Sequence, residues 1–151
     1  MNKKTNEVKI NIAARRWARR CALQAMYQWQ LSGNDLKDIE EHFFSSEDAT
    51  KMDVPYFSEL LHFIPQNIDI IDAAFVPYLD RPLAELNPVE LAILRVSTYE
   101  LLKRLDIPYR VVINEGVELA KTFASEEGHK YINGVIDKVA HQIRSTEIAH
   151  G

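Results

Sequence analysis

The chain has 151 residues, 46% of them hydrophobic and 26% charged, the proportions of a folded globular protein rather than a disordered one. That length fits one domain, or two small subdomains sharing a core. The single cysteine, Cys21, excludes an internal disulfide and fits a reducing compartment. No apolar run approaches the ~18 residues of a membrane span, and the basic start lacks the apolar segment of a secretory signal, so a cytoplasmic, soluble protein is expected. The net charge of −4 hides an uneven layout. Residues 1–20 carry seven lysines and arginines against one acid, Glu7, whereas the other 131 residues carry 11 basic and 21 acidic groups. An acidic body with a basic head offers a polyanion one place to dock and repels it elsewhere.

Helix-period patterns recur along the chain, and cleanly alternating strands are absent. The first predicted helix runs from about Ala13 to Leu31, with Gly33 as its C-cap and Asn34 or Asp35 as the next N-cap. At about 100° per residue its arginines, Arg15, Arg16, Arg19 and Arg20, fan over an arc of about 140°, opposite Ala14, Ala18, Cys21, Ala22, Ala25 and Trp29. Guanidinium forks on a rigid element suit phosphate oxygens; the alternative is a solvated face. Leu23 and Tyr27 point toward the basic arc, either as an apolar contact area or as wider core. The second predicted helix covers Leu36 to Phe44, and 45–53 reads as a loop. The third starts near Pro55 and is ended or kinked by Pro65. The fourth carries Ile68, Ile71, Ala74, Phe75 and Leu79 and closes at Pro82.

The fifth starts at Asn87-Pro88-Val89-Glu90, a cap with proline at the first helical position and a carboxylate three residues after the cap. Val89, Ala92, Ile93, Val96, Tyr99 and Glu100 follow at helix spacing, and Lys103-Arg104 suit the negative C-terminal end. After the turn at Asp106-Ile107-Pro108, Ile113, Val117, Ala120 and Ala124 mark the sixth, where Glu115 and Glu118 read as surface or helix-pairing charges. Ser125-Glu126-Glu127 caps the seventh, which buries Ile132, Val135, Ile136, Val139 and Ile143. Asn133-Gly134 lies inside that period and calls for a packing or contact reason for the glycine. The fold class predicted is all-α, with residues 1–12 and 146–151 as flexible tails. Residues 13–145 form one helical domain whose subdomains meet near Asp80-Arg81-Pro82.

Signatures of catalysis are missing: no glycine-rich phosphate loop, nucleophile elbow or paired-cysteine metal site occurs. The five histidines show no i, i+4 pairing on one face. No enzyme activity, metal or cofactor is expected. In the last helix Lys130-Tyr131 precedes the core stripe, the pairing of cation and ring that single-stranded nucleic acid uses; rim packing is the plain alternative for Tyr131.

Three blocks carry a resemblance. They are Ala14-Arg15-Arg16-Trp17-Ala18-Arg19 running into Ala22 to Trp29; Val89-Glu90 through Ile93-Leu94-Arg95 to Tyr99-Glu100-Leu101, with Ile107-Pro108-Tyr109; and Ile113-Asn114-Glu115 through Val117-Glu118-Leu119-Ala120-Lys121 to His129-Lys130-Tyr131-Ile132-Asn133-Gly134-Val135. From Ala13 to Arg144 the chain resembles the NusB family of bacterial transcription antitermination factors. The resemblance implies seven helices in two packed, roughly perpendicular bundles. It also implies binding of the boxA element in ribosomal-operon leader RNA, jointly with a small-subunit ribosomal protein called NusE in this role. Other Nus factors and RNA polymerase complete the assembly. By position it assigns Arg15, Arg16, Arg19, Tyr78, Arg81, Lys130 and Tyr131 to the RNA surface, and Tyr27 and Glu90 to the partner protein.

The chain departs from the family's pattern at three places. Arg20 stands where an acid is frequent, Gly116 where alanine is common, at a helix cost of up to ~1 kcal/mol, and Gly128 where a serine would supply a helix-start hydroxyl. The resemblance leaves two other readings: an accessory module in ribosomal RNA maturation, as in some RNA methyltransferases, for whose catalytic domain 151 residues leave no room, and a homodimer that masks its own RNA surface.

Overall fold

The structure, a computed structural model, describes residues 11–150; the lysines of the basic head and Glu7 lie outside them. Eight α-helices, one more than expected, and no strand are found among the described residues: α1 Ile12–Ser32, α2 Leu36–Phe44, α3 Val54–Gln66, α4 Ile68–Phe75, α5 Pro88–Lys103, α6 Tyr109–Phe123, α7 Glu126–Ile143 and α8 Ser145–His150. Short 3₁₀ turns at Glu47–Thr50, Val76–Tyr78 and Leu83–Glu85 occupy the connections.

Local chemistry sets the boundaries. Asn11 Oδ1 accepts the Ala14 N–H at 2.9 Å and opens α1. Gly33, at φ 67°, closes it with a bond to the Trp29 carbonyl, a left-handed conformation that glycine adopts at no steric cost. Asp35, Asp53, Asn87 and Ser125 cap α2, α3, α5 and α7 through their side chains. Pro65 falls in the last turn of α3, which closes one residue later at Gln66, so the expected stop at this proline holds to within a residue.

The core forms around α5, which packs against α1, α3, α4, α6 and α7. Its residues Ala92 to Leu101 are all buried, as expected of a helix with neighbours on every side. Arg95 and Glu100 are the charged ones among them, and neighbouring helices supply their partners. Arg95 bonds both oxygens of Asp72, at 3.0 and 2.8 Å, and Gln30 at 3.1 Å. α1 contributes Ala18, Cys21, Ala22, Leu23, Ala25 and Met26. A fully buried leucine or methionine is worth about 1.5–3 kcal/mol, and the small residues between them let α1 approach closely. Gly116 serves the same end in α6: a Cβ there would sit 2.7 Å from Ser97 Oγ and 2.8 Å from Ile136 Cδ1. A side chain at this position would have to displace Ser97 and Ile136.

At the C-terminus the expected tail is helical. The buried Arg144 guanidinium donates to the carbonyls of Glu100, Leu101, Arg104 and Ile107, between 2.8 and 3.2 Å. It thereby brings a cation to the carbonyls at and just beyond the end of α5, two of which, Glu100 and Arg104, also accept the backbone N–H groups of Arg104 and Ile107. Glu147 in α8 accepts from Arg144 at 2.6 Å and from the Tyr109 backbone N–H at 3.0 Å. These two bonds draw its pKa below the usual carboxylate range, the backbone donor first. A Cβ added at Gly134 would meet no atom within 4 Å, so the packing reason expected for that glycine is not found.

Candidate nucleic-acid interface

The four arginines of α1 do not form one exposed fan. Arg16 is outward, 58% exposed at its side chain, and its Nε–H is shared by the two oxygens of Glu115 at 3.1 and 3.0 Å. That leaves its outer Nη edges open to an anion. Arg15 lies half-buried with its guanidinium carbon 4.4 Å from the centroid of the Tyr56 ring. Arg20 lies over Trp17, at 4.7 Å, and near Phe123, at 5.6 Å.

Arg19 corrects the expectation of an RNA-facing group. It is 4% exposed, donates from Nε to Glu100 at 2.9 Å and from Nη1 to Glu115 at 3.3 Å. Burial opposes its charge, but Glu100, Tyr56 and Glu115 outweigh that and raise its pKa. The Tyr56 hydroxyl donates to the same Glu100 oxygen. Tyr56 is itself pushed well above the ordinary phenol range, first by burial and then by Glu100. Glu115 is likewise no surface charge: it is 7% exposed and joins Arg16 to Arg19. Leu23, at 2% exposure, belongs to the core, so of the two side chains beside the basic arc only Tyr27, 38% exposed, reaches the surface.

The subdomain boundary and the start of α7 meet in a second cluster. Arg81 stacks on Tyr131 with its guanidinium carbon 4.6 Å from the ring centroid, and chelates Asp80 at 2.6 and 3.2 Å. The Tyr131 hydroxyl accepts the Asp80 backbone N–H at 3.1 Å. The Arg81 bond holds the Asp80 carboxyl below its usual range, whereas burial pushes the Tyr131 phenol up. Tyr131 and Arg81, 50 positions apart, are thus brought together, with Lys130 exposed beside them and only 4.0 Å from Glu126. Tyr78, half-buried, packs against the core next to this turn.

Tyr27 opens on a groove of about 450 Å³ with Gln24, Gln28, His42 and Asp48. The end of α1 is tied to the start of α5 by Gln30 donating to the Pro88 carbonyl at 2.9 Å. Glu90 does not close the expected capping box: Asn87 caps alone, by accepting the Val89 N–H at 2.8 Å. The Glu90 carboxylate lies across the first turn of α7, so close that a Cβ on Gly128 would be 2.4 Å from its Oε2. Ser125 Oγ accepts the Gly128 N–H at 3.0 Å, so α7 has its helix-start hydroxyl one turn earlier than the departure at Gly128 suggested.

Sequence reading missed Tyr56, Asp80 and the buried role of Glu115. A signal did exist for Glu100, an acid within the apolar stripe of α5. Among the described residues no cluster of three or more His, Cys, Asp or Glu side chains is placed to hold a metal ion, and no helix is long and apolar enough to cross a membrane.

Fold and site together define an all-helical protein whose arginine- and tyrosine-bearing surface suits a polyanion. A family model described as the NusB family matches residues 16–141. The transcription antitermination protein NusB of Pseudomonas fluorescens is 55% identical over 136 residues, 90% of this chain and 82% of that protein. That of Edwardsiella ictaluri is 56% identical over 132 residues, 87% of this chain and 95% of that protein. Among solved structures, NusB of T. maritima matches with a TM-score of 0.73 and 30% identity, covering 84% of this chain and 90% of that one. A crystal structure of the antitermination factors NusB and NusE in complex with double-stranded RNA matches with a TM-score of 0.71 and 25% identity, covering 87% of this chain and 99% of that one. The chain belongs to the NusB family. It is accordingly a transcription antitermination factor and not an enzyme.

Proposed function

We propose that this protein binds the boxA element of ribosomal-operon leader RNA in the cytoplasm, jointly with a NusE-type ribosomal protein, and that this complex joins other Nus factors on RNA polymerase. The observation that carries the reading is the Arg81–Tyr131 stack beside the exposed Lys130 side chain. It sets a ring and two cations on one surface, the combination that holds an unpaired base and its phosphates. Arg15 and Arg16 supply further phosphate contacts, Tyr78 borders the path, and Arg19 acts from beneath by fixing α1 through Glu100 and Glu115. Tyr27, a large contact of low entropy cost, faces the partner, a basic ribosomal protein, and Glu90, only 9% exposed against the start of α7, lends its charge from the edge of that contact.

Backbone contacts position an RNA without specifying it, so the partner completes the sequence readout. The test is titration of a boxA oligoribonucleotide, single-stranded and as a duplex, with and without the ribosomal protein. Tyr131→Ala is expected to cost about 1–3 kcal/mol of single-strand binding, the value of one stacking ring, with a melting temperature lowered only slightly by the loss of the Asp80 bond and the Arg81 stack. Loss of stability with full RNA affinity would return Tyr131 to packing alone. Equal affinity for the duplex would replace stacking by backbone recognition. Light scattering on the free protein separates the monomer from a self-masked dimer.

A further inference from the structure

Trp17, the ring under Arg20, makes contacts beyond that arginine. Its indole Nε1–H donates to Asp48 Oδ1 at 3.0 Å and so ties α1 to the turn Glu47–Thr50. Two cations gather on its ring: the Arg20 guanidinium at 4.7 Å from the centroid and the Lys51 ammonium at 4.9 Å. Among the described residues neither is ion-paired. The ring's attraction holds each cation in place, so the two set a local positive charge around Trp17. Asp48, the carboxylate of the cluster, is engaged at the indole edge. A phosphate at either cation supplies the charge-assisted partner that neither has among the described residues.

The cluster also has a continuation. Arg16, Trp17, Arg20 and Lys121 line a groove of about 780 Å³ between α1 and α6, with Asn114 and Thr122 as neutral donors. Its acids are taken: Glu115 by Arg16 and Arg19, and Glu118 by Lys121 at 3.8 Å. The groove therefore runs, with an excess of positive charge, from the exposed Arg16 to the Trp17 cluster. A positive groove of this kind tracks a nucleic-acid backbone.

We infer that Trp17, Arg20 and Lys51 form a second backbone-binding site for single-stranded RNA, extending through the α1–α6 groove the path that Arg16 begins. The inference rests on the RNA-binding reading above. Trp17 works as a platform that holds the two cations, and the contacts are to phosphates, so the site is indifferent to base sequence.

The test uses the full chain and two fluorescent single-stranded probes, a boxA oligoribonucleotide and an oligouridine of equal length, titrated from low to moderate salt. Losing two phosphate contacts at about 0.7 each lowers the log–log salt slope by about 1.4. Arg20→Glu/Lys51→Glu is expected to show that loss, with a ten-fold or greater drop in affinity for both probes at fixed salt and an unchanged melting temperature. The neutral pair Arg20→Gln/Lys51→Gln is expected to show a smaller loss of the same kind. A loss on charge reversal but none on neutralisation means repulsion from a distance and overturns the site. Full RNA affinity of both pairs alongside weakened binding by Arg15→Ala/Arg16→Ala overturns this site and leaves the RNA reading standing. No effect of Arg15→Ala/Arg16→Ala removes the path that this site would extend and overturns the site, while no binding by the wild type overturns both. A fall in affinity for the ribosomal protein with RNA binding intact assigns the cluster to a protein partner and overturns the proposal.

Discussion

Arg19→Met separates a structural arginine from an RNA-binding one. The replacement keeps the apolar stem and removes a guanidinium that is 4% exposed and bonded to Glu100 at 2.9 Å and Glu115 at 3.3 Å. Glu115 keeps Arg16, but Glu100, 1% exposed, is left with the Tyr56 hydroxyl as its side-chain donor. Breaking one side of a buried ion pair costs about 3–5 kcal/mol, because the remaining charge stays in a poor solvent. Each kcal/mol shifts the melting temperature of a domain of this size by about 2–4 °C, so a fall on the order of 10 °C is expected. The companion variant Arg19→Met/Glu100→Gln removes the stranded charge and keeps a group that can meet Tyr56. It should recover much of the loss. Thermal melts of both variants, beside RNA titration at a temperature where each is folded, complete the assay. If Arg19→Met melts like the wild type yet binds RNA as poorly as Arg16→Ala, the buried-network account of Arg19 is wrong.

Gly116→Ala gains up to ~1 kcal/mol of helix propensity but overpacks against Ser97 and Ile136, typically a cost of about 1–3 kcal/mol. A net loss is therefore expected in denaturant melts, with partial recovery on adding Ser97→Ala. Gly128→Ala forces the Glu90 carboxylate off the start of α7; calorimetry with the ribosomal protein should show weakened binding if Glu90 faces it, and unaltered binding if it does not. The Cys21 thiol, raised to about 12 by burial first and then by Asp48, should resist alkylation at mildly alkaline pH until the protein is denatured. Glu147, whose pKa is lowered in the folded state, contributes stability that is fully present above the ordinary glutamate range and lost as pH falls through its folded value. Protection of the Tyr109 amide, taken relative to its intrinsic exchange rate at each pH, should fall as pH drops through the lowered Glu147 value, and Glu147→Gln should show reduced protection already at neutral pH.

The helices were legible because their signals are local. Gly33 after an apolar period, Asn87-Pro88 and Ser125-Glu126-Glu127 each fix an end within one turn of chain, and the structure places helix boundaries at all three. The eighth helix was not legible, since six residues with only Ile148 and Ala149 apolar carry no period; what holds it is the Arg144–Glu147 pair and the Tyr109 amide, 38 positions from Glu147. The capping box failed for a related reason. Glu90 had the right spacing to bond Asn87, but a glycine on α7 left room for its carboxylate elsewhere, and spacing says nothing about a cavity formed by a distant helix.

The arginine row shows the same limit at the site itself. Periodicity gives each side chain an angle about α1, and at about 40° from Arg15 and about 60° from Arg16 nothing in the helix distinguishes Arg19 from its neighbours. Its fate is decided by Glu100 and Glu115, which lie 81 and 96 positions away and meet only when α5 and α6 pack on α1. A guanidinium is costly to bury unless acids wait for it, and these two acids do. The consequence reaches the surface: Glu115, one of the two acids that bury Arg19, also grips Arg16 by its Nε and turns the remaining edge of that guanidinium outward. The internal network thus selects which arginines of a uniform-looking run face an RNA, and a substitution at Glu115 should therefore disturb RNA binding without touching the RNA.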